Sequence, residues 1–139
     1  MGIADAAELR RFAERYTAAW CSQDAARVAE HFAANGTLTI NGGATAVGRA
    51  AISAAVREFM TAFPDLRVEM DELVVGGDFA EYRWTLSGTN TGPGGTGYPV
   101  RTSGFEVWTL EDGLIAKSAG TFDAAEYARQ IEGRAGSGW

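Results

Sequence analysis

The feature that most constrains this chain is a change of hydrophobic period near Leu66. Before it, apolar residues recur every three or four positions; after it, they alternate. Leu9, Phe12, Tyr16, Ala19 and Trp20 form one helical stripe within residues 5–21. Asp24 is placed to cap a second helix carrying Ala25, Val28, Ala29 and Phe32. That helix is expected to stop at Asn35-Gly36, residues that tolerate the left-handed conformation. Residues 37–40 read as a short strand and 41–43 as a turn. Gly48 leads into a third helix with Ile52, Val56, Phe59, Met60 and Phe63 on one face, ended by Pro64. Past the switch, residues 66–75, 79–89, 98–110 and 114–122 read as antiparallel strands, joined by Gly76-Gly77-Asp78, a glycine-rich loop and Asp112-Gly113. A helix over 124–132 closes the pattern. Helices set apart from a meander of strands define an α+β fold, its curved antiparallel sheet wrapped over three N-terminal helices and enclosing a cone-shaped cavity.

At 139 residues the chain is one domain, 1–139, with a core over about 5–132 and a flexible glycine-rich tail at 133–139. The net charge is −6, and no Lys/Arg-rich run exists, which argues against nucleic acid and anionic membrane surfaces as partners. No apolar run approaches a membrane span, and the acidic N-terminus does not read as a signal peptide. The single cysteine, Cys21, has no partner for an internal disulfide and no Cys/His cluster for zinc, so no metal is expected. A lone thiol fits a reducing, cytoplasmic setting. The loop Gly92-Pro93-Gly94-Gly95-Thr96-Gly97 lacks the Lys-Ser/Thr ending of a phosphate loop and reads as a strand connection.

The last hairpin carries the candidate chemistry. If Asp112-Gly113 is a two-residue turn, Glu111 pairs with Leu114. An unbroken register then sets Trp108 opposite Lys117, Glu106 opposite Ala119, Gly104 opposite Thr121 and Thr102 opposite Asp123. On that register Asp123 has the small neighbours Gly104, Thr121 and Ala119, which leaves room for a ligand. Burial there would raise its pKa toward the range where proton transfer is efficient. The competing reading makes Asp123 the cap of the terminal helix, accepting backbone N–H bonds near Glu126; both roles can coexist. A bulge would shift the pairing by one. Glu106 is expected to pair with Lys117, diagonal to it, and Arg83 with Glu69, Asp71 or Glu81. Asn90 either binds a substrate carbonyl or orders the glycine-rich loop. Trp20, Phe59 and Trp84 are expected to line a pocket for a hydrophobic ring system. His31 reads as a surface or rim residue, and no nucleophile has a histidine partner in sequence.

Phe63-Pro64-Asp65-Leu66, then Gly88-Thr89-Asn90-Thr91-Gly92-Pro93, then Asp112-Gly113-Leu114-Ile115 through Asp123 to Gln130-Ile131 carry a resemblance. In order and spacing they resemble the SnoaL-like polyketide cyclases of the nuclear transport factor 2-like superfamily, over roughly residues 5–132. The resemblance implies an α+β barrel, a homodimer through the sheet, and a deep pocket for a hydrophobic small molecule. It also implies cofactor-independent acid/base chemistry, an aldol cyclisation or isomerisation, with Asp123 as acid/base; Asn90, in the nearby loop, and Thr121, beside Asp123 on its face, are the candidate substrate-binding residues by position. The family often has a histidine where this chain has Asn90 and a tryptophan where it has Ala119. The same fold also serves non-catalytic ligand-binding or assembly domains, which is the alternative reading.

Overall fold

The computed structural model describes residues 6–133, so residues 1–5 and, of the tail expected at 133–139, residues 134–139 lie outside the described residues. Three helices come first in space: α1 (Ala6–Trp20), α2 (Ala25–Ala29) and α3 (Arg49–Ala62). The strands are β1 (Phe32–Ile40), β2 (Thr45–Val47), β3 (Arg67–Val75), β4 (Phe79–Thr89), β5 (Pro99–Glu111) and β6 (Leu114–Phe122), and α4 (Ala124–Ile131) follows. The stripe on α1 buries Leu9, Phe12, Ala13, Tyr16, Ala19 and Trp20, the three-and-four spacing that the sequence carries. On α3, Ile52, Val56 and Met60 are buried in the same way, and the helix stops one residue before Phe63-Pro64.

The fold is α+β, with four helices and a six-stranded curved sheet among the described residues, the strands in the order β2-β1-β6-β5-β4-β3. The sheet is open, with β2 and β3 at its edges, so the expectation of a closed barrel is corrected. The four expected strands pair antiparallel in a meander, β3 with β4, β4 with β5 and β5 with β6. The sheet is not antiparallel throughout, because β1 runs parallel to β6.

The second helix is shorter than its apolar stripe suggests. Asp24 caps it, its carboxylate accepting the Ala26 N–H at 3.1 Å, but it ends at Ala29 and Phe32 already begins β1. Asn35-Gly36 lies not at a helix end but inside β1, within a register irregularity between Phe32 and Thr37. The gain is ladder hydrogen bonding to β6, a partner that local spacing cannot reveal.

The decisive departure lies in the last hairpin. Asp112 and Gly113 both have positive φ (53° and 78°), as a two-residue turn requires, and Glu111 pairs with Leu114 as expected. Leu110 pairs with Ile115, but Thr109 pairs with Lys117, so Ala116 is an extra residue: a β-bulge. From there every pair moves by one, giving Trp108 with Ser118, Glu106 with Gly120 and Gly104 with Phe122. A one-residue slip turns every side chain of a strand to the other face. Ser118 and Gly120 therefore face the helices, and Ala119 and Thr121 face outward. Ser118 is fully buried as a result.

Candidate functional site

Between α1, α3, α4 and the inner face of the sheet lies a cavity of about 50 Å³. A single water needs roughly 10–15 Å³ on the same measure, so the space exceeds one water several-fold. Its wall is almost wholly apolar. Trp20, Phe59, Tyr82, Trp84, Phe122 and Tyr127 supply the aromatic faces, and Leu38, Ile40, Val68 and Leu86 the aliphatic ones. Thr102 and Glu106 are the polar side chains with an aliphatic stem. Edge-on contacts hold the aromatic lining together: Tyr127 meets Phe59, Phe63 and Phe122 at centroid distances of 6.4, 6.2 and 5.4 Å.

Glu106 is the group with chemical potential. It is only 7% exposed, in the middle of β5, the third inward residue of the series Thr102, Gly104, Glu106, Trp108, Leu110. Three donors from three elements converge on its Oε1: the Tyr16 hydroxyl of α1 at 2.9 Å, the Trp108 indole N–H at 2.9 Å and the Ser118 hydroxyl of β6 at 2.8 Å. An oxygen that accepts three hydrogen bonds has no lone pair left for a proton. When Glu106 is neutral, its proton therefore sits on Oε2. Burial pushes the Glu106 carboxyl above the usual glutamate value, and the hydrogen bonds from Trp108, Ser118 and Tyr16 offset part of that rise. Tyr16 is pushed well above an ordinary tyrosine by its own burial and by the adjacent Glu106 carboxylate, so it stays a neutral donor. Tyr82 is raised too, chiefly by burial. It stacks on Trp108 at 4.8 Å and shares a 2.5 Å hydrogen bond with Thr17.

The expected site residues separate into two groups. Trp20, Phe59 and Trp84 line the cavity, as the aromatic spacing suggests. Asp123, Thr121 and Asn90 are not among its lining residues. Asp123 is exposed and caps α4, its Oδ1 accepting the Glu126 N–H at 3.0 Å. Thr121 is exposed on the outer side. The bulge at Ala116 is the physical reason: the register that was to bring both inside is displaced by one. The acid/base role read for Asp123 thus loses its geometric basis. Asn90 is buried but orders the glycine-rich loop, its Nδ2 donating to the Ala62 carbonyl at 3.2 Å and its Oδ1 accepting the Thr96 N–H at 2.8 Å.

The Glu106–Lys117 ion pair is likewise corrected, because Glu106 opposes Gly120 and Lys117 is exposed. Arg83 is exposed and pairs with Glu81 at 2.5 Å and Glu72 at 3.8 Å. His31 packs edge-on against Phe12 and Tyr16, and burial lowers its pKa. Among the described residues no three His, Cys, Asp or Glu side chains gather as metal ligands would. No described helix is long and apolar enough to cross a membrane.

The comparisons with known proteins point the same way as this architecture. Residues 13–118 match the family described as the SnoaL-like domain. TsrD from Streptomyces laurentii superposes with a TM-score of 0.81 at 27% identity, covering 93% of this chain and 98% of that one. A protein with a ketosteroid isomerase-like fold from Catenulispora acidiphila, solved with trimethylamine, gives 0.78 at 19%, covering 92% and 95%. SalBIII, described as an epoxide hydrolase/cyclase-like enzyme in pyran ring formation in the polyether salinomycin, gives 0.75 at 21%, covering 88% and 96%. No curated protein matches by sequence.

Proposed function

Since the chain belongs to the SnoaL-like domain family, matched over residues 13–118, we propose that it is a small cofactor-independent enzyme that moves a proton on a hydrophobic carbonyl substrate, with Glu106 as the acid/base. The observation that carries this reading is the three-donor anchorage of Glu106 Oε1 on the wall of an apolar cavity. The anchorage fixes the carboxyl plane and leaves Oε2 to exchange the proton. Burial raises its pKa above that of an ordinary glutamate, which makes the carboxylate a stronger base.

The chemistry balances without an outside reagent. Oε2 of the carboxylate takes a proton from the carbon beside the substrate carbonyl. The C–H electron pair becomes the enolate C=C bond, and the carbonyl pair moves onto oxygen. In an aldol closure the enolate carbon attacks a second carbonyl of the same molecule, and Glu106 gives its proton to the new alkoxide. In an isomerisation the proton returns to a different carbon. The aromatic wall favours a ring-bearing or polyene substrate, held in a cone-shaped recess that excludes water. A homodimer through the outer face of the sheet belongs to this proposal, and light scattering at micromolar concentration tests it: a monomer mass refutes it.

A second reading is a non-catalytic domain that binds a small hydrophobic molecule. It is favoured by the same hydrogen bonds, because an Oε1 fully satisfied by the protein also serves as a structural tie between α1 and the sheet. Exchange of the α-protons of 2-tetralone in D₂O, followed by proton NMR, separates the two. The enzyme accelerates exchange, and E106Q loses roughly 10²-fold or more of that rate. Equal rates for wild type and E106Q leave the binding domain as the answer.

A further inference from the structure

Trp84 brings a second polar group to the wall that holds Glu106. Its indole Nε1 is shielded from solvent and has no hydrogen-bond partner, and no other buried side-chain nitrogen or oxygen among the described residues is left in that state. Native interiors leave few such groups, because an unpaired buried donor is costly. The contrast with Trp108 is direct: on the neighbouring strand its indole N–H is given to Glu106 at 2.9 Å. Trp84 is 91% buried, being 9% exposed, and it borders the cavity.

The sheet register sets the two groups side by side. Trp84 opposes Gly104, and Glu106 lies two residues further along β5 and opposes Tyr82. Trp84 and Glu106 are therefore diagonal neighbours on one face, with Cα atoms about 7–8 Å apart. Gly104 makes the indole's position possible, since a Cβ there would lie 2.7 Å from Trp84 Cζ2, the ring atom two bonds from Nε1. Cζ2, next to the N–H-bearing edge of the ring, thus lies over the bare backbone of β5, and the ring forms part of the cavity wall. For the N–H to reach an occupant of the cavity the indole must turn from this position, and that turn belongs to the proposal.

We propose that Trp84 Nε1–H is a ligand anchor that receives the oxygen of a carbonyl or enol substrate while the carbon beside that carbonyl faces Glu106. The role of Glu106 in this statement rests on the proposed function; the binding role of Trp84 does not. A carbonyl oxygen and its neighbouring carbon are two bonds apart, so one carbonyl unit spans two groups that share a wall. As Glu106 takes the proton, charge grows on that oxygen, and a donor already in place stabilises it. A site built to hydrogen-bond an oxygen also discriminates against a hydrocarbon of the same shape, which gives this apolar pocket its selectivity.

Protein labelled with ¹⁵N at its tryptophans gives four indole N–H signals, one per tryptophan, and W84F identifies that of Trp84. Titration with 2-tetralone is expected to move the Trp84 signal downfield; tetralin, its hydrocarbon counterpart, is expected to leave it in place. W84F is expected to bind 2-tetralone about tenfold more weakly and tetralin with unchanged affinity. If W84F does not fold, the wild-type titration decides, with the signal assigned by elimination from variants of the other tryptophans. The anchor is overturned if both ligands move the signal equally, if 2-tetralone shifts other signals but not this one, or if neither ligand binds up to its solubility. A responsive Trp84 signal with α-proton exchange unchanged in E106Q leaves the anchor standing and removes the acid/base reading. Exchange that depends on Glu106 with a silent Trp84 does the reverse.

Discussion

Glu106 and Asp123 are two carboxylates of one hairpin, and they have opposite fates. Glu106, mid-strand in β5, is buried and holds donors from α1, β5 and β6 on one oxygen. Asp123, just past the end of β6, is exposed and spends an oxygen on the first turn of α4. Asp123 is the one whose small neighbours in sequence suggest a recess; Glu106 is the one that has it. The difference comes from a single inserted residue, Ala116, which exchanges the faces of β6 and brings Ser118 rather than Ala119 or Thr121 to the inner wall. A carboxylate's reactivity is thus decided by strand phase, several residues away from the carboxylate itself.

The harshest way to break the contrast is S118R. Ser118 is fully buried on the phase that the bulge at Ala116 turns inward, so the variant drives a guanidinium and its long stem into the inner wall; the expected result is loss of cooperative unfolding in a urea titration followed by near-UV circular dichroism. Next, E106A strands the Tyr16, Trp108 and Ser118 donors. Each buried donor left without an acceptor costs about 1–3 kcal/mol, so the variant is expected to lose roughly 3 kcal/mol or more in the same titration. The pH profile sharpens the comparison further. Glu106 binds its proton more tightly folded than unfolded, so its contribution to stability is complete below the ordinary glutamate pKa. That contribution is lost as the pH rises through the raised folded value. E106Q is expected to flatten this fall in Tm above about pH 4; a wild-type profile that E106Q leaves untouched contradicts the burial argument. Asp65 slopes the other way: hydrogen bonding from Thr89 holds its carboxyl below the ordinary value, so its contribution fades as the pH falls. At the small end, D123A removes a helix cap and is expected to cost about 1 kcal/mol. D123N keeps the cap oxygen, so its cost is expected to be only a few tenths of a kcal/mol, with the α-proton exchange rate unchanged.

Much of the fold is legible in the sequence, and the reasons are local. Phe79–Thr89 carries Ala80, Tyr82, Trp84 and Leu86 at alternate positions, and Leu114–Phe122 is bounded by the Asp112-Gly113 turn and the cap Asp123, so both strands occupy the expected residues. Pro64 ends α3 by excluding helical geometry from the residue before it. Phe32 falls on the other side of the line. It continues the stripe of Val28 and Ala29 at helical spacing, yet it pairs with Ile115 of β6, a partner no local signal announces. The candidate site divides in the same way. Trp20, Phe59 and Trp84 are legible because large aromatics on inward phases have nowhere else to go. Glu106 was available too: Trp108 and Leu110 fix the inward phase of β5, and Glu106 shares it. What hid it was the assumed pairing with Lys117, which made an exposed ion pair the simpler account. The bulge at Ala116 has no mark in the sequence, since alanine suits either phase.

The parallel pairing of β1 with β6 has a consequence for how the chain is made. The centre of the sheet is assembled from strands near opposite ends of the sequence, and the Asn41 side chain that receives the Phe122 N–H at 2.9 Å is 81 residues away from it. A nascent chain halted before residue 114 leaves β1 with only the three-residue β2 beside it, while the β3–β5 meander presents an unpaired edge along β5. Closure of so long a loop precedes the contacts that reward it, which slows folding and postpones it until the last hairpin has left the ribosome. During that interval the future wall of the cavity, with Trp84, Glu106 and Trp108, lies open along the unpaired edge of the meander, and the polypeptide is at its most vulnerable to aggregation and proteolysis just before it acquires its site.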